Sequence, residues 1–276
     1  IWAAGDMQSR GFLIGATAGR TTLAGEGLQH QDGHSHIISA TVPNCRSYDP
    51  CYAYELAVII QDGLRRMYVD QENVFYYVTC MNENYVQPAM PAGVEEGILK
   101  GLYLLRVGGK GRVRAQLLGS GTILREVIAA AEMLEEDFDI PADVWSVTSF
   151  SELARVARTH DRQTRLRPVA HADPSHVQHC LADREGPFVA ATDYMAMVPE
   201  QIRPWVPGRY VTLGTDGYGR SDGRVALRRH FEVDRWHIVV AALKALADEG
   251  KLDARTVAGA IERYKVDPDA PNPLYA

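Results

Sequence analysis

The sequence lacks a basic excess and a long apolar run, and each absence excludes a class of partner. Its 29 lysines and arginines are outnumbered by 35 aspartates and glutamates, which gives a net charge of −6. We therefore expect no nucleic acid partner. The longest apolar runs, such as residues 56–60, are far below the roughly 20 residues of a membrane-spanning helix, and no signal peptide is recognised. We therefore expect no membrane partner.

Paired cysteines are also missing. The four cysteines, Cys45, Cys51, Cys80 and Cys180, form no CxxC pair, so neither a disulfide framework nor a zinc ribbon is indicated. This pattern favours a reducing, cytoplasmic location. The sequence begins with Ile1 rather than methionine, and residues 1–6 resemble the end of a buried strand. We therefore expect the chain to be part of a longer protein.

What is present is an ordinary globular composition with alternating strands and helices. At 276 residues, 46% hydrophobic and 23% charged, the chain is long enough for about two domains. Strands are predicted over residues 74–80, within 114–121, and over 144–148, 188–192 and 210–214. Helix starts are predicted at Asp49-Pro50, Thr122, Ser149, Asp234 and Asp253. This order predicts an α/β fold of two units, divided between Pro91 and Arg112, each with a mostly parallel sheet.

Residues 25–36 are unlike any packed helix or strand, because three glycines separate three histidines and two carboxylates. Such a segment is typical of a loop that presents reactive groups. Glu26 and His30 are four positions apart and can project to the same side of a turn, where a histidine beside a carboxylate transfers protons or holds a substrate carboxylate. A structural ion pair is the alternative for these two residues. His34 and His36 are predicted to be loop scaffolding.

Two further segments carry candidate residues. His171, His176, His179 and Cys180 could bind zinc, but no acidic ligand accompanies them, and a histidine-rich surface helix explains them equally well. We assign no metal ligand. Residues 214–222 follow a predicted strand at its carboxyl end, where open α/β sheets bind ligands. They lack the GxGxxG and Walker spacings, so a strand-to-helix turn capped by Ser221 or Asp222 is favoured.

Longer motifs identify a family. Residues 19–36, GRTTLAGEGLQHQDGHSH, resemble the signature loop of the homodimeric, bacterial-type pyruvate dehydrogenase first component. The resemblance continues through residues 43–44, 48–50, 82–85, 88–91, 118–121, 146–150 and 214–222, so it covers essentially the whole chain. It implies a transketolase-like α/β fold. Residues 1–95 would be the later part of the middle, pyrimidine-binding-type domain, residues 96–112 a connector, and residues 113–276 the C-terminal domain.

The resemblance also implies an activity, which is thiamine-diphosphate-dependent oxidative decarboxylation of pyruvate with acetyl transfer to lipoamide. Glu26 and His30 would face the thiazolium end of the cofactor, where pyruvate binds. The implied partners are a second subunit of a homodimer and a lipoyl acyltransferase. The cofactor-activating glutamate and the GDG motif that binds diphosphate and magnesium are expected upstream. We therefore assign no cofactor-binding residue here and expect the isolated chain to be inactive.

Other functions remain open. In transketolase the matching loop carries a His-Asp pair that hydrogen-bonds to sugar hydroxyls, whereas the aligned positions here are Ala18 and Gly19. That departure favours a small 2-oxoacid over a sugar phosphate. Another 2-oxoacid dehydrogenase is a further alternative. A non-catalytic dimerisation or docking module is the alternative from a different class.

Overall fold

The computed structural model describes residues 1–24, 26–168 and 173–276. Its strands are β1 (Phe12–Ala16), β2 (Cys45–Tyr48), β3 (Phe75–Cys80), β4 (Tyr103–Arg106), β5 (Ala115–Gly119), β6 (Ala142–Ser146), β7 (Phe188–Ala191) and β8 (Tyr210–Leu213). Its α-helices are α1 (Trp2–Asp6), α2 (Ser35–Ala40), α3 (Ala53–Leu64), α4 (Glu95–Lys100), α5 (Ile123–Phe138), α6 (Phe150–Leu166), α7 (His176–Leu181), α8 (Met197–Glu200), α9 (Arg224–His230), α10 (Arg235–Asp248) and α11 (Ala254–Arg263).

The strands form two separate sheets. The first has the order β1-β3-β2, and all its pairs are parallel. The second has the order β4-β6-β5-β7-β8, in which only β4 and β6 are antiparallel. The prediction of a mostly parallel α/β fold is therefore confirmed.

The core of the second sheet lies on both of its faces, because neighbouring residues of a strand point in opposite directions. Leu117 of β5 packs in a cluster with residues of α5 and α10, whereas Leu118 packs with residues of α6 and α7. Both leucines are fully buried. Each contributes about 2 kcal/mol through the apolar area that it removes from water.

Three predicted helix caps are confirmed. The Ser149 hydroxyl accepts the backbone N–H of Glu152 at 3.0 Å at the start of α6. Asp234 and Asp253 accept backbone N–H groups in the same way at the starts of α10 and α11. Thr122 precedes α5 as predicted, but its buried hydroxyl has no hydrogen-bond partner among the described residues.

Three local predictions were wrong. Residues 1–6 contain the short helix α1 rather than a strand end, consistent with the high helix propensity of Ala3 and Ala4. Helix α3 begins at Ala53, not at Asp49-Pro50, because the Glu55 carboxylate accepts the N–H groups of Cys51 and Tyr52 at 2.6 and 2.9 Å. Helix α9 begins after Gly223, with neither Ser221 nor Asp222 as its N-cap.

Within these described ranges, none of the helices is both long and apolar enough to cross a membrane.

Candidate active site between the two sheets

The histidine-rich loop follows the carboxyl end of β1. In open α/β sheets, ligands bind in the loops at the carboxyl ends of the parallel strands. The segments that follow β7 and β8 in the second sheet contact this loop. Gly33 O accepts the N–H of Met195 at 3.1 Å. The loop therefore lies between the two sheets, and both sheets determine its position.

Asp193, directly after β7, holds the first part of the loop. Its buried carboxylate accepts the N–H of Thr21 at 3.0 and 3.2 Å. Burial raises the pKa of Asp193 to about 6, although its hydrogen bonds with Thr21 lower it. Gly19 has φ +85° and lies against the Asp193 carboxylate, so a side chain at this position would collide with it. The glycine is therefore required by packing as well as by its backbone conformation.

Arg20, near the start of the loop, is buried. Its guanidinium donates to the carbonyl of Gly217, in the segment after β8, and lies 3.3 Å from Nε2 of His34. Burial lowers the pKa of Arg20, whereas the charges of Asp216, Asp32 and Asp193 raise it. The arginine links the two ends of the loop to the second sheet.

Glu26 and His30 are exposed on this loop, and His30 ends a short 3-10 helix, Leu28–His30. Among the described contacts, no hydrogen bond or ion pair joins the two side chains. The alternative of a structural ion pair is therefore not observed. Both side chains are therefore accessible to solvent.

The other two histidines of the loop have different environments. His34 is exposed, and its only described side-chain partner is Arg20. His36 is buried, with Nδ1 2.7 Å from Ser47 Oγ and Nε2 3.1 Å from Thr79 Oγ1. Burial lowers the pKa of His36 to about 4, so it is neutral near pH 7 and connects α2 to β2 and β3.

A buried polar network continues from Thr79 across the junction. Thr79 and Ser120 donate hydrogen bonds to the Asp49 carboxylate at 2.7 and 2.8 Å, and Ser120 Oγ is 2.9 Å from Thr192 Oγ1. These residues belong to β3 and to the segments that follow β2, β5 and β7. Asp49, predicted as a helix cap, instead joins the two sheets.

The histidine and cysteine cluster lies elsewhere. His176 Nε2 is 2.9 Å from the Leu102 carbonyl oxygen and 3.6 Å from Cys180 Sγ. His176, His179 and Cys180 line a cleft of about 510 Å³ with Lys100 and Arg184. His171 lies outside the described residues. In the part of the chain that the structure covers, no group of three or more histidines, cysteines or carboxylates could hold a metal ion.

Sequence reasoning missed Arg20, Gln31 and Asp193. Asp193 had a usable signal, because it directly follows a predicted strand at the sheet edge where ligand-facing residues gather. Gln31 had no usable sequence signal, because its partner, the backbone of Arg220, is 189 positions away.

Comparisons with known proteins identify the fold first. Residues 101–234 match the family model of the transketolase-like C-terminal domain. The structure of transketolase from Campylobacter jejuni covers 87% of this chain, with a TM-score of 0.65 and 16% identity, and 32% of that chain is covered. A split-gene transketolase, described as an inactive β4 tetramer, covers 86% of this chain with a TM-score of 0.55 and 17% identity, and 66% of that chain is covered. The chain therefore has the transketolase-like α/β fold.

The sequence comparisons are more specific. Residues 1–88 match the model of the pyruvate dehydrogenase E1 component middle domain. The pyruvate dehydrogenase E1 component of Pseudomonas aeruginosa is 60% identical over 275 residues, which are 99% of this chain and 31% of that protein. The Escherichia coli K12 protein of the same name is 57% identical over 279 residues, again 31% of its length. The resemblance to the pyruvate dehydrogenase E1 component is confirmed, and the chain spans about a third of the length of these relatives.

Proposed function

We propose that this chain is the C-terminal part of a pyruvate dehydrogenase E1 component, which decarboxylates pyruvate oxidatively and transfers the acetyl group to lipoamide. The observation that carries the proposal is the loop whose described residues, 19–24 and 26–36, are held between the two sheets and leave Glu26 and His30 exposed. Identities of 57–60% to proteins of that name support it.

His30 is the proposed group that touches the substrate. Histidine exchanges protons near neutral pH, and its charged form binds a carboxylate such as that of pyruvate. Glu26, four positions earlier, is the proposed orienting partner. The exposure of both side chains supports these roles, because a ligand can reach them without displacing any part of the core.

Thiamine diphosphate and Mg²⁺ are the proposed cofactors of the full-length enzyme. The described residues do not fit the metal, since they contain no cluster of three or more histidine, cysteine or carboxylate ligands. As the resemblance implies, the proposed binding residues for both cofactors lie upstream of this chain, and we expect the chain alone to be inactive.

Pyruvate is favoured over a sugar phosphate by two buried positions. Ala18 and Gly19 are both buried. They align with the His-Asp pair that binds sugar hydroxyls in transketolase. Neither offers a side-chain hydrogen bond. A transketolase activity is therefore the weaker alternative, and a docking module without catalysis is the other.

The remaining proposals concern assembly. The enzyme is a cytoplasmic homodimer that works with a lipoyl acyltransferase. The proposed domains are the middle domain at residues 1–95, a connector at 96–112 and the C-terminal domain at 113–276. The family-model matches at residues 1–88 and 101–234 support this division. Strand β4, in the proposed connector, pairs with β6 of the second sheet.

The test is His30→Ala in the full-length enzyme, with pyruvate kinetics and thiamine diphosphate titration. Loss of a positioned acid–base group should lower turnover by about 100- to 10,000-fold and change cofactor affinity far less. Glu26→Gln should have a milder effect of the same kind. His179→Ala is the control, because His179 is exposed on α7, outside the loop. Near-normal turnover with lost cofactor binding in His30→Ala would reverse the assignment.

A further inference from the structure

The 3-10 helix that ends in His30 has little packing of its own. It contains only three residues, and both Leu28 and His30 are exposed. Short 3-10 segments have poor hydrogen-bond geometry and are not stable in isolation. The position of this helix, and with it the place of His30, therefore depends on tertiary contacts.

Gln31, the next residue, makes such contacts. It is buried, its Oε1 accepts the N–H of Arg220 at 2.7 Å, and its Nε2 donates to the carbonyl of the same residue. The orientation of the amide is unambiguous, because a backbone N–H can only donate and a carbonyl can only accept. Both polar ends of the planar amide group are thus fixed to one residue of the segment that follows β8.

Close packing reinforces this pair of hydrogen bonds. A Cβ atom added at Gly219 would lie 2.8 Å from both Gln31 Oε1 and the Leu28 carbonyl oxygen. The backbone at Gly219 therefore rests directly against the 3-10 helix. A small displacement of either segment would move the other.

We infer that Gln31 is a positioning residue, which holds His30 in its working orientation by binding the backbone of Arg220. The inference rests on the proposed function, in which His30 touches the substrate. Displacement of a reacting group by about 1 Å costs up to about 100-fold in rate. The loss of both Gln31 hydrogen bonds should therefore reduce turnover without reducing cofactor affinity.

The test uses Gln31→Met in the full-length enzyme, because methionine keeps the length and most of the volume of glutamine and loses both hydrogen bonds. We expect kcat with pyruvate to fall roughly 10- to 100-fold, with unchanged affinity for thiamine diphosphate. Gly219→Ala approaches the same contact from the other side and should lower kcat in the same direction. Gln201→Met is the matched control, since Gln201 also donates its amide to a backbone carbonyl, that of Val198 at 3.1 Å.

A double-mutant cycle separates positioning from general stability. If Gln31 acts through His30, Gln31→Met should have almost no further effect on kcat in the His30→Ala background. An equal effect in both backgrounds, or a normal kcat in Gln31→Met beside an impaired His30→Ala enzyme, would overturn the inference alone. A normal His30→Ala enzyme would overturn the proposed function and the inference with it.

Hydrogen exchange on the full-length enzyme gives a readout that is independent of activity. The amides of His30 and Gln31 bond the carbonyls of Gly27 and Leu28 at 3.0 and 3.2 Å. Gln31→Met should accelerate their exchange, whereas Gln201→Met should not. Unchanged exchange of these amides in Gln31→Met would contradict a positioning role.

Discussion

The buried carboxyl group of Asp49 should make the stability of this chain fall as the pH rises through neutrality. Asp49 bridges the two sheets through Thr79 and Ser120. The ordinary pKa of an aspartate is 3.8, and burial raises the pKa of Asp49 to about 7 in the folded chain. The two hydrogen bonds act in the opposite direction and lower it. Between those two pH values the folded chain keeps a proton that the unfolded chain has released.

The sign and the size follow from linkage. Because the folded state binds the extra proton, the free energy of unfolding decreases as the pH rises from the unfolded pKa to the folded one. The pKa shift of Asp49 changes the free energy of unfolding by about 4 kcal/mol in total. About 2.5 kcal/mol of this change falls between pH 5 and pH 8. The change is complete once the pH exceeds the folded pKa.

The assay is urea unfolding of the wild-type chain and Asp49→Asn at several pH values from 5 to 8. Asparagine does not titrate, so the variant should gain about 2.5 kcal/mol relative to wild type over this range. A constant offset from altered hydrogen bonds does not affect the comparison. The buried carboxyls of Asp193 and Glu55, whose pKa values are also raised by burial, are present in both proteins.

Asp253→Asn is the control. Asp253 is an exposed helix cap, and its hydrogen bond with Arg255 lowers its pKa. It is therefore ionised throughout the range and should add no pH dependence. If Asp49→Asn and wild type differ by the same amount at pH 5 and pH 8, Asp49 is ionised in the folded chain and the reasoning fails.

Three shorter predictions concern the site and its supports. Gly19→Ala should destabilise the chain by about 1–3 kcal/mol in urea unfolding, because it combines φ +85° with a collision against Asp193. Glu83→Gln should lower the free energy of unfolding by about 2 kcal/mol, because the largely buried carboxylate pairs with Arg228 and Arg125. An unchanged midpoint of urea unfolding would show that these pairs contribute little. The chain alone should bind neither thiamine diphosphate nor Mg²⁺ in calorimetric titration, and saturable micromolar binding would contradict the proposed location of their sites.

The secondary structure was largely predictable because its signals are local. The β-branched and aromatic residues of the segment 74–80 identified β3. The side chains of Ser149, Asp234 and Asp253 identified three helix starts within a few positions of themselves. The start of α3 was predicted wrongly because only local signals were available. Asp49 has the composition of a cap, but its partners Thr79 and Ser120 are 30 and 71 positions away.

The sequence by itself determined the family resemblance, the mostly parallel α/β fold and the loop that carries Glu26 and His30. Only the tertiary structure decided which residues hold that loop. Thr21 meets Asp193 across 172 positions, and Gln31 meets Arg220 across 189. Such contacts depend on how two sheets pack their carboxyl ends together, and no local periodicity or capping pattern records that arrangement.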